Sequence, residues 1–79
     1  MIQLLKNRAI LSVTGDDSLI FLQNLTTNDL INNLYSYNYL LSTQGRYLYD
    51  FFVLKFLDNK LFIDIDSASS QSFLKKLNL

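Results

Sequence analysis

Asp50 is the residue whose setting asks for a chemical explanation. It stands inside the run RYLYDFFVLKFL (46–57), with Tyr47, Leu48, Tyr49, Phe51, Phe52 and Val53 on its two sides. A run of aromatic and β-branched residues is strand material. A carboxylate buried within one is costly unless it is partnered, so it acquires hydrogen bonds or shifts its pKa. Asp50 therefore either reaches a hydrogen-bonding partner or lines a cavity.

Little else in the chain offers chemistry. The 79 residues contain no cysteine, no histidine and no glutamate; all seven acidic residues are aspartate. Disulfides and thiolate metal sites are excluded, and so are the commonest general base and the commonest metal ligand. Classical nucleophilic triads and zinc-hydrolase sites cannot be assembled from this chain alone. Seven basic residues balance the seven acidic ones, and no basic stripe of the kind that marks nucleic-acid modules is visible. Lys75-Lys76 fits the last turn of a helix, where cations are favoured. The longest apolar runs, LIFL and FFVL, fall far short of the ~20 residues of a membrane span. The start, MIQLLKNRAILSV, is a poor signal peptide. A cytoplasmic protein without a membrane segment is expected.

The elements that must position Asp50 follow from local patterns. RAILSV (8–13) predicts a short strand. In TGDD, Gly15 suits a turn, and Asp16 or Asp17 an N-cap for a helix over SLIFLQNL (18–25). Thr26 or Thr27 is placed to cap a second short helix, with Asp29 near its N-terminus and Leu30, Ile31 and Leu34 as its apolar side. NYLLST (38–43) predicts a strand, Gln44-Gly45 a turn, and 46–57 a long strand. Asp58-Asn59 is a two-residue hairpin turn into KLFIDID (60–66). SASSQSFLKKL (67–77) then forms a helix capped by Ser67 or Ser69, with Phe73, Leu74 and Leu77 inward. The expected class is α+β, a small antiparallel sheet with helices on one face, in the order β-α-α-β-β-β-α. A single domain covers residues 1–79.

A regular two-residue hairpin pairs Leu57 with Lys60, Phe56 with Leu61, Leu54 with Ile63 and Phe52 with Ile65. Cross-strand partners share a face. One face then holds Leu48, Asp50, Phe52, Leu54 and Phe56 with Leu61, Ile63 and Ile65. The other holds Tyr47, Tyr49, Phe51, Val53, Lys55 and Leu57 with Lys60, Phe62, Asp64 and Asp66. The first is the expected buried face, and Asp50 lies on it. Asp50 at the wet end of the sheet, capping a helix or pairing with Arg46, stays open as an alternative.

RAILSVTGDDSLIFLQNLTTNDL, followed by YLLSTQGRYLYDFFV, resembles the N-terminal part of the folate-binding proteins related to the aminomethyltransferase of the glycine cleavage system. The resemblance is closer to the YgfZ branch and its mitochondrial counterpart, which assists iron–sulfur cluster assembly. It is carried by G-x-D-x-x-x-F-L-Q-x-L-x-T-N-D and Q-G-R-x-L-Y-D, in that order, and spans most of the chain. The resemblance implies the first portion of a longer architecture of α+β subdomains around a tetrahydrofolate pocket. It implies that Asp50 matches an aspartate beside the reactive nitrogens of the folate, that Phe52 and Leu54 line the pocket wall, and that TTND lies near the same centre. The Lys-Gly-Cys run of the YgfZ branch and a pterin-holding glutamate of the aminomethyltransferases have no counterpart here. The chain is then not catalytic alone, and a separate chain carrying the rest of the fold would complete the pocket.

Two other readings compete. The aromatics Tyr47, Tyr49 and Phe51, sharing a face, suit base stacking in a small RNA-binding module, which the neutral charge balance and the order Gly45-Arg46 disfavour. A structural piece that self-associates through uncovered apolar surface and strand edges is the third.

Overall fold

The computed structural model describes residues 7–57 and 59–77. Their order is β1 (Arg8–Thr14), α1 (Ser18–Gln23), β2 (Tyr35–Leu41), β3 (Tyr47–Leu57), β4 (Lys60–Asp66) and α2 (Ser67–Leu77). The strands form one antiparallel sheet in the order β1-β4-β3-β2. The class is α+β with both helices behind one face, as expected. Asp58, half of the expected hairpin turn, lies outside the described residues.

Alternation builds the core. Phe51 and Val53 of β3, Leu61, Ile63 and Ile65 of β4, and Leu40 of β2 point to one side. There they meet Leu22 of α1, Phe73 of α2 and Leu30 of the loop between α1 and β2, with Ala9, Leu11 and Val13 of β1 packed against them. Phe73 sits edge-on to Phe51 and Tyr49, with ring centroids 5.0 and 5.4 Å apart. The Tyr49 hydroxyl and the Ser72 hydroxyl are hydrogen-bonded at 2.9 Å.

The second helix expected at 26–34 is absent; the segment is an irregular loop. Its side chains compete with the backbone for hydrogen bonds. The Asp29 carboxylate accepts from the backbone N–H of Ile31 (2.9 Å) and Asn32 (3.2 Å), and Asn33 Nδ2 donates to the Asp29 carbonyl at 2.8 Å. Only Leu30 of the supposed apolar side is buried; Ile31 and Leu34 are exposed. The helix caps also differ. Asp17 occupies the N-cap of α1 without a side-chain cap bond, and Ser18 instead bonds the Gly15 carbonyl through both its N–H and its hydroxyl. The α2 helix begins at Ser67, so Ser69 is inside it. β2 starts three residues earlier than predicted and ends at Leu41; Ser42–Arg46 closes the hairpin, with Gly45 at φ +82°. That conformation is costly for residues bearing a Cβ.

The largest correction is the register of the β3–β4 hairpin. Leu57 faces Lys60 as expected, but the next pairs are Lys55 with Leu61, Leu54 with Phe62, Val53 with Ile63 and Phe52 with Asp64. Phe56 is the extra residue of a β-bulge, which shifts every later pair by one. Both faces of β3 are apolar enough to pack, so hydrophobicity alone leaves the register undecided. Asp50 breaks the tie: in the regular register it faces the core, and the bulge turns it outward. Its parity with Phe52 and Leu54 is kept, but all three lie on the face away from the helices.

Candidate functional site

Among the described residues, none covers the face opposite the helices. On β2 the sequence YSYNYL alternates Ser36, Asn38 and Leu40 inward with Tyr35, Tyr37 and Tyr39 outward. Tyr39 stands opposite Asp50 and Tyr37 opposite Phe52. Tyr35 stacks on Phe52 with centroids 5.4 Å apart and planes 12° from parallel. Tyr37 tilts against Phe52 at 4.9 Å. Tyr39 meets Tyr37 and Tyr47 edge-on, at 5.2 and 5.7 Å. Five rings thus form one continuous row beside Asp50.

The carboxylate is held from two sides. The Tyr37 hydroxyl donates to Oδ2 and the Tyr47 hydroxyl donates to Oδ1. These two bonds, Tyr37 first, hold the Asp50 pKa below its ordinary value of 3.8, with a small contribution from the charge of Arg8 and partial burial opposing them. The same contacts push both phenols up: a hydroxyl donating to a carboxylate is harder to ionise. Asp50 is therefore an anion at neutral pH. Farther along the sheet, Ile10, Tyr35, Phe52, Leu54, Phe62 and Asp64 line a shallow hollow of about 230 Å³. Asp64 at its rim binds Arg8, Nε to Oδ1 at 2.9 Å. Both groups are partly solvated, so this pair contributes at most about 1 kcal/mol.

The structure thus brings Asp50, Phe52 and Leu54 together on one face, but an open one rather than the buried one. The trio Tyr47, Tyr49 and Phe51 is divided: Phe51 is in the core, Tyr49 packs beside it on Phe73, and only Tyr47 joins the open face. Tyr35, Tyr37 and Tyr39 were not singled out from the sequence, although tyrosines at period two in YSYNY signal a single face.

The TTND segment does not cap a helix. It staples the outer edge of β2. The Tyr39 N–H donates to Thr27 Oγ1 (3.1 Å), and Asn28 Nδ2 donates to the Tyr37 carbonyl (2.6 Å). The Asn28 N–H donates to Oδ1 of the buried Asn38 (3.0 Å). Gln23 closes the loop: its Nε2 donates to the Asn28 carbonyl (2.8 Å) and its Oε1 accepts from the Leu30 N–H (2.6 Å). An exposed strand edge is thereby covered. The two sequence motifs meet here, since the first pins the strand whose Tyr37 holds the Asp50 of the second.

A carboxylate whose folded pKa is depressed stabilises the fold above its unfolded pKa, and that contribution is lost as pH falls through the folded value. Stability is therefore expected to drop as pH falls below the ordinary aspartate value of 3.8. Asp29, lowered by its bonds to Asn32 and Ile31, adds to the same slope. Urea midpoints followed down the acid range should show a shallower drop for Asp50→Asn than for wild type. Equal slopes would mean that the two phenols do not hold the carboxylate in solution.

Among the described residues, no three His, Cys, Asp or Glu side chains gather as a metal site, and no helix is long and apolar enough to cross a membrane. No protein-family model matches the chain, and no curated protein matches it.

Proposed function

We propose that this chain forms one wall of a tetrahydrofolate cleft, as the N-terminal part of a YgfZ-like protein of one-carbon metabolism or iron–sulfur protein maturation, acting in the cytoplasm. The observation that carries this reading is an oriented aspartate anion set in a row of exposed rings on an uncovered sheet face. A pterin is planar and rich in N–H groups. Rings on the open face suit its stacking, the Asp50 carboxylate suits its donors, and Phe52 and Leu54 supply apolar wall. Tetrahydrofolate, when bound, supplies the nitrogens that carry the one-carbon unit. The chain's own part is to stack against the ligand, accept its donors and orient it. One face is not a cleft, so in this reading further walls complete the pocket, with a separate chain carrying the rest of the fold as the proposed partner, and these residues are not catalytic by themselves.

The same face speaks against an RNA-binding module. Phosphates near it would meet the Asp50 anion, and the Arg8 charge is already taken by Asp64. Self-association is the second reading, favoured by the exposed Ile10, Tyr35, Tyr47 and Leu54 on one surface. Light scattering separates a dimer from a monomer.

Calorimetric titration of 5-formyltetrahydrofolate into wild type and Asp50→Ala tests the folate reading. Wild type is expected to bind, and Asp50→Ala to bind roughly tenfold more weakly or worse, as befits loss of a charge-assisted hydrogen bond. A folded wild-type chain that binds no folate, or binds it equally well without Asp50, overturns it.

A further inference from the structure

The Asp50 carboxylate does not simply point into solvent from an apolar face. It receives one phenol on each oxygen, from two different strands. Tyr37 comes from β2 and donates to Oδ2; Tyr47 comes from the start of β3 and donates to Oδ1. Tyr39, directly across the ladder from Asp50, lies edge-on to both donor rings at 5.2 and 5.7 Å and fills the space between them. Each donor is in turn fixed. The Tyr37 ring packs on Phe52 at 4.9 Å, and its carbonyl takes the Asn28 amide at 2.6 Å. Tyr47 follows the tight turn closed by the Ser42 N–H on the Arg46 carbonyl at 2.8 Å. A carboxylate accepts about four hydrogen bonds, so two phenols leave it able to accept from a ligand while its rotation is stopped.

We propose that Tyr37 and Tyr47 are positioning residues of the Asp50 site, a two-phenol clamp that fixes the carboxylate and aims it at a planar N–H-donating ligand lying on the ring row. The proposal rests on the folate reading for the ligand's identity, but the clamp itself does not. The clamp acts through Asp50 and need not touch the ligand. It works by preorganisation: an acceptor already oriented loses less freedom when the ligand arrives. The other groups facing the carboxylate act weakly. Arg8 of β1 lends a small further lowering but is paired with Asp64 of β4, and Tyr39 of β2 offers its ring.

Phenylalanine keeps each ring and removes only the donor, so Tyr37→Phe, Tyr47→Phe and the double variant isolate the clamp. The first readout is the carboxyl ¹³C titration of Asp50 in ligand-free protein. Asp50 is expected to titrate below an ordinary aspartate in wild type, higher in each single variant and highest in the double variant. An Asp50 titration that is the same in wild type and in both single variants overturns the proposal. The single variants decide the matter even if the double variant does not fold.

The second readout is 5-formyltetrahydrofolate affinity by calorimetry. Each Tyr→Phe change is expected to weaken binding by on the order of tenfold. In an Asp50→Asn background, the same changes are expected to have little further effect. A purely stacking role for the tyrosines leaves affinity unchanged in every background, and that result overturns positioning. Wild type that binds no folate while its Asp50 still titrates low rejects the folate reading and leaves the clamp standing.

Discussion

Phe73→Ala is expected to remove about 3–5 kcal/mol of stability, the usual cost of truncating a fully buried phenylalanine. Natural domains hold roughly 0.05–0.15 kcal/mol per residue, so in a chain of 79 residues this single change removes a large share of a margin of about 4–12 kcal/mol. The effect is large because α2 docks through few groups. Its buried residues are Ser70 and Phe73, and Phe73 alone inserts a ring, between Phe51 and Tyr49. Removing the ring opens a void against β3 and strips the helix of its anchor. Urea unfolding followed by far-ultraviolet circular dichroism measures the loss. A cost below about 1 kcal/mol would mean that α2 does not pack on the sheet in solution, since surface truncations fall in that range.

Asn38→Ala is expected to cost about 2–3 kcal/mol, for a different reason. Asn38 is fully buried, with 0% of its surface exposed. Its Oδ1 accepts the Asn28 N–H at 3.0 Å, and its Nδ2 donates to the Ser36 hydroxyl at 2.9 Å and the Ser36 carbonyl at 3.2 Å. Alanine leaves those partly buried partners without their mate, and an orphaned buried polar group costs about 1–3 kcal/mol. The small cavity adds to that. The consequence extends to the site: the same loop holds the backbone of Tyr37 and Tyr39 through Asn28 and Thr27. Faster amide exchange at Asn28 and Tyr39, together with a lower urea midpoint, is the expected signature. Unchanged exchange would mean that the loop does not depend on Asn38.

Much of the secondary structure was legible in the sequence. Residues 60–66 and 67–77 alternate and repeat so cleanly that β4 and α2 match their predicted spans. β1 and β3 are correct to within a residue, and α1 ends two residues early. These segments carry a hydrophobic period that no local competitor contradicts. The stretch from Thr26 to Leu34 was misread because its signals were ambiguous. Thr, Asn and Asp favour a helix start, but they equally well bond the backbone of a loop or an adjacent strand. Asn28 and Thr27 take the second course because the edge of β2 offers them a carbonyl and an N–H. That partner lies ten residues or so away and is invisible to a local pattern.

The sequence by itself singled out Asp50 as the carboxylate that needs a partner, since it stands inside an aromatic and apolar strand. It also determined that Asp50, Phe52 and Leu54 share a face, because side chains alternate with period two. Tertiary structure alone decided which face that is. The bulge at Phe56 places Phe51 and Val53 in the core and leaves Asp50 outside. Only the fold could bring Tyr37 from a different strand onto the Asp50 carboxylate. The reason is physical: a strand apolar on both sides permits two registers of similar burial, and the choice falls to the cost of burying one carboxylate, which depends on every neighbour the sheet assembles around it.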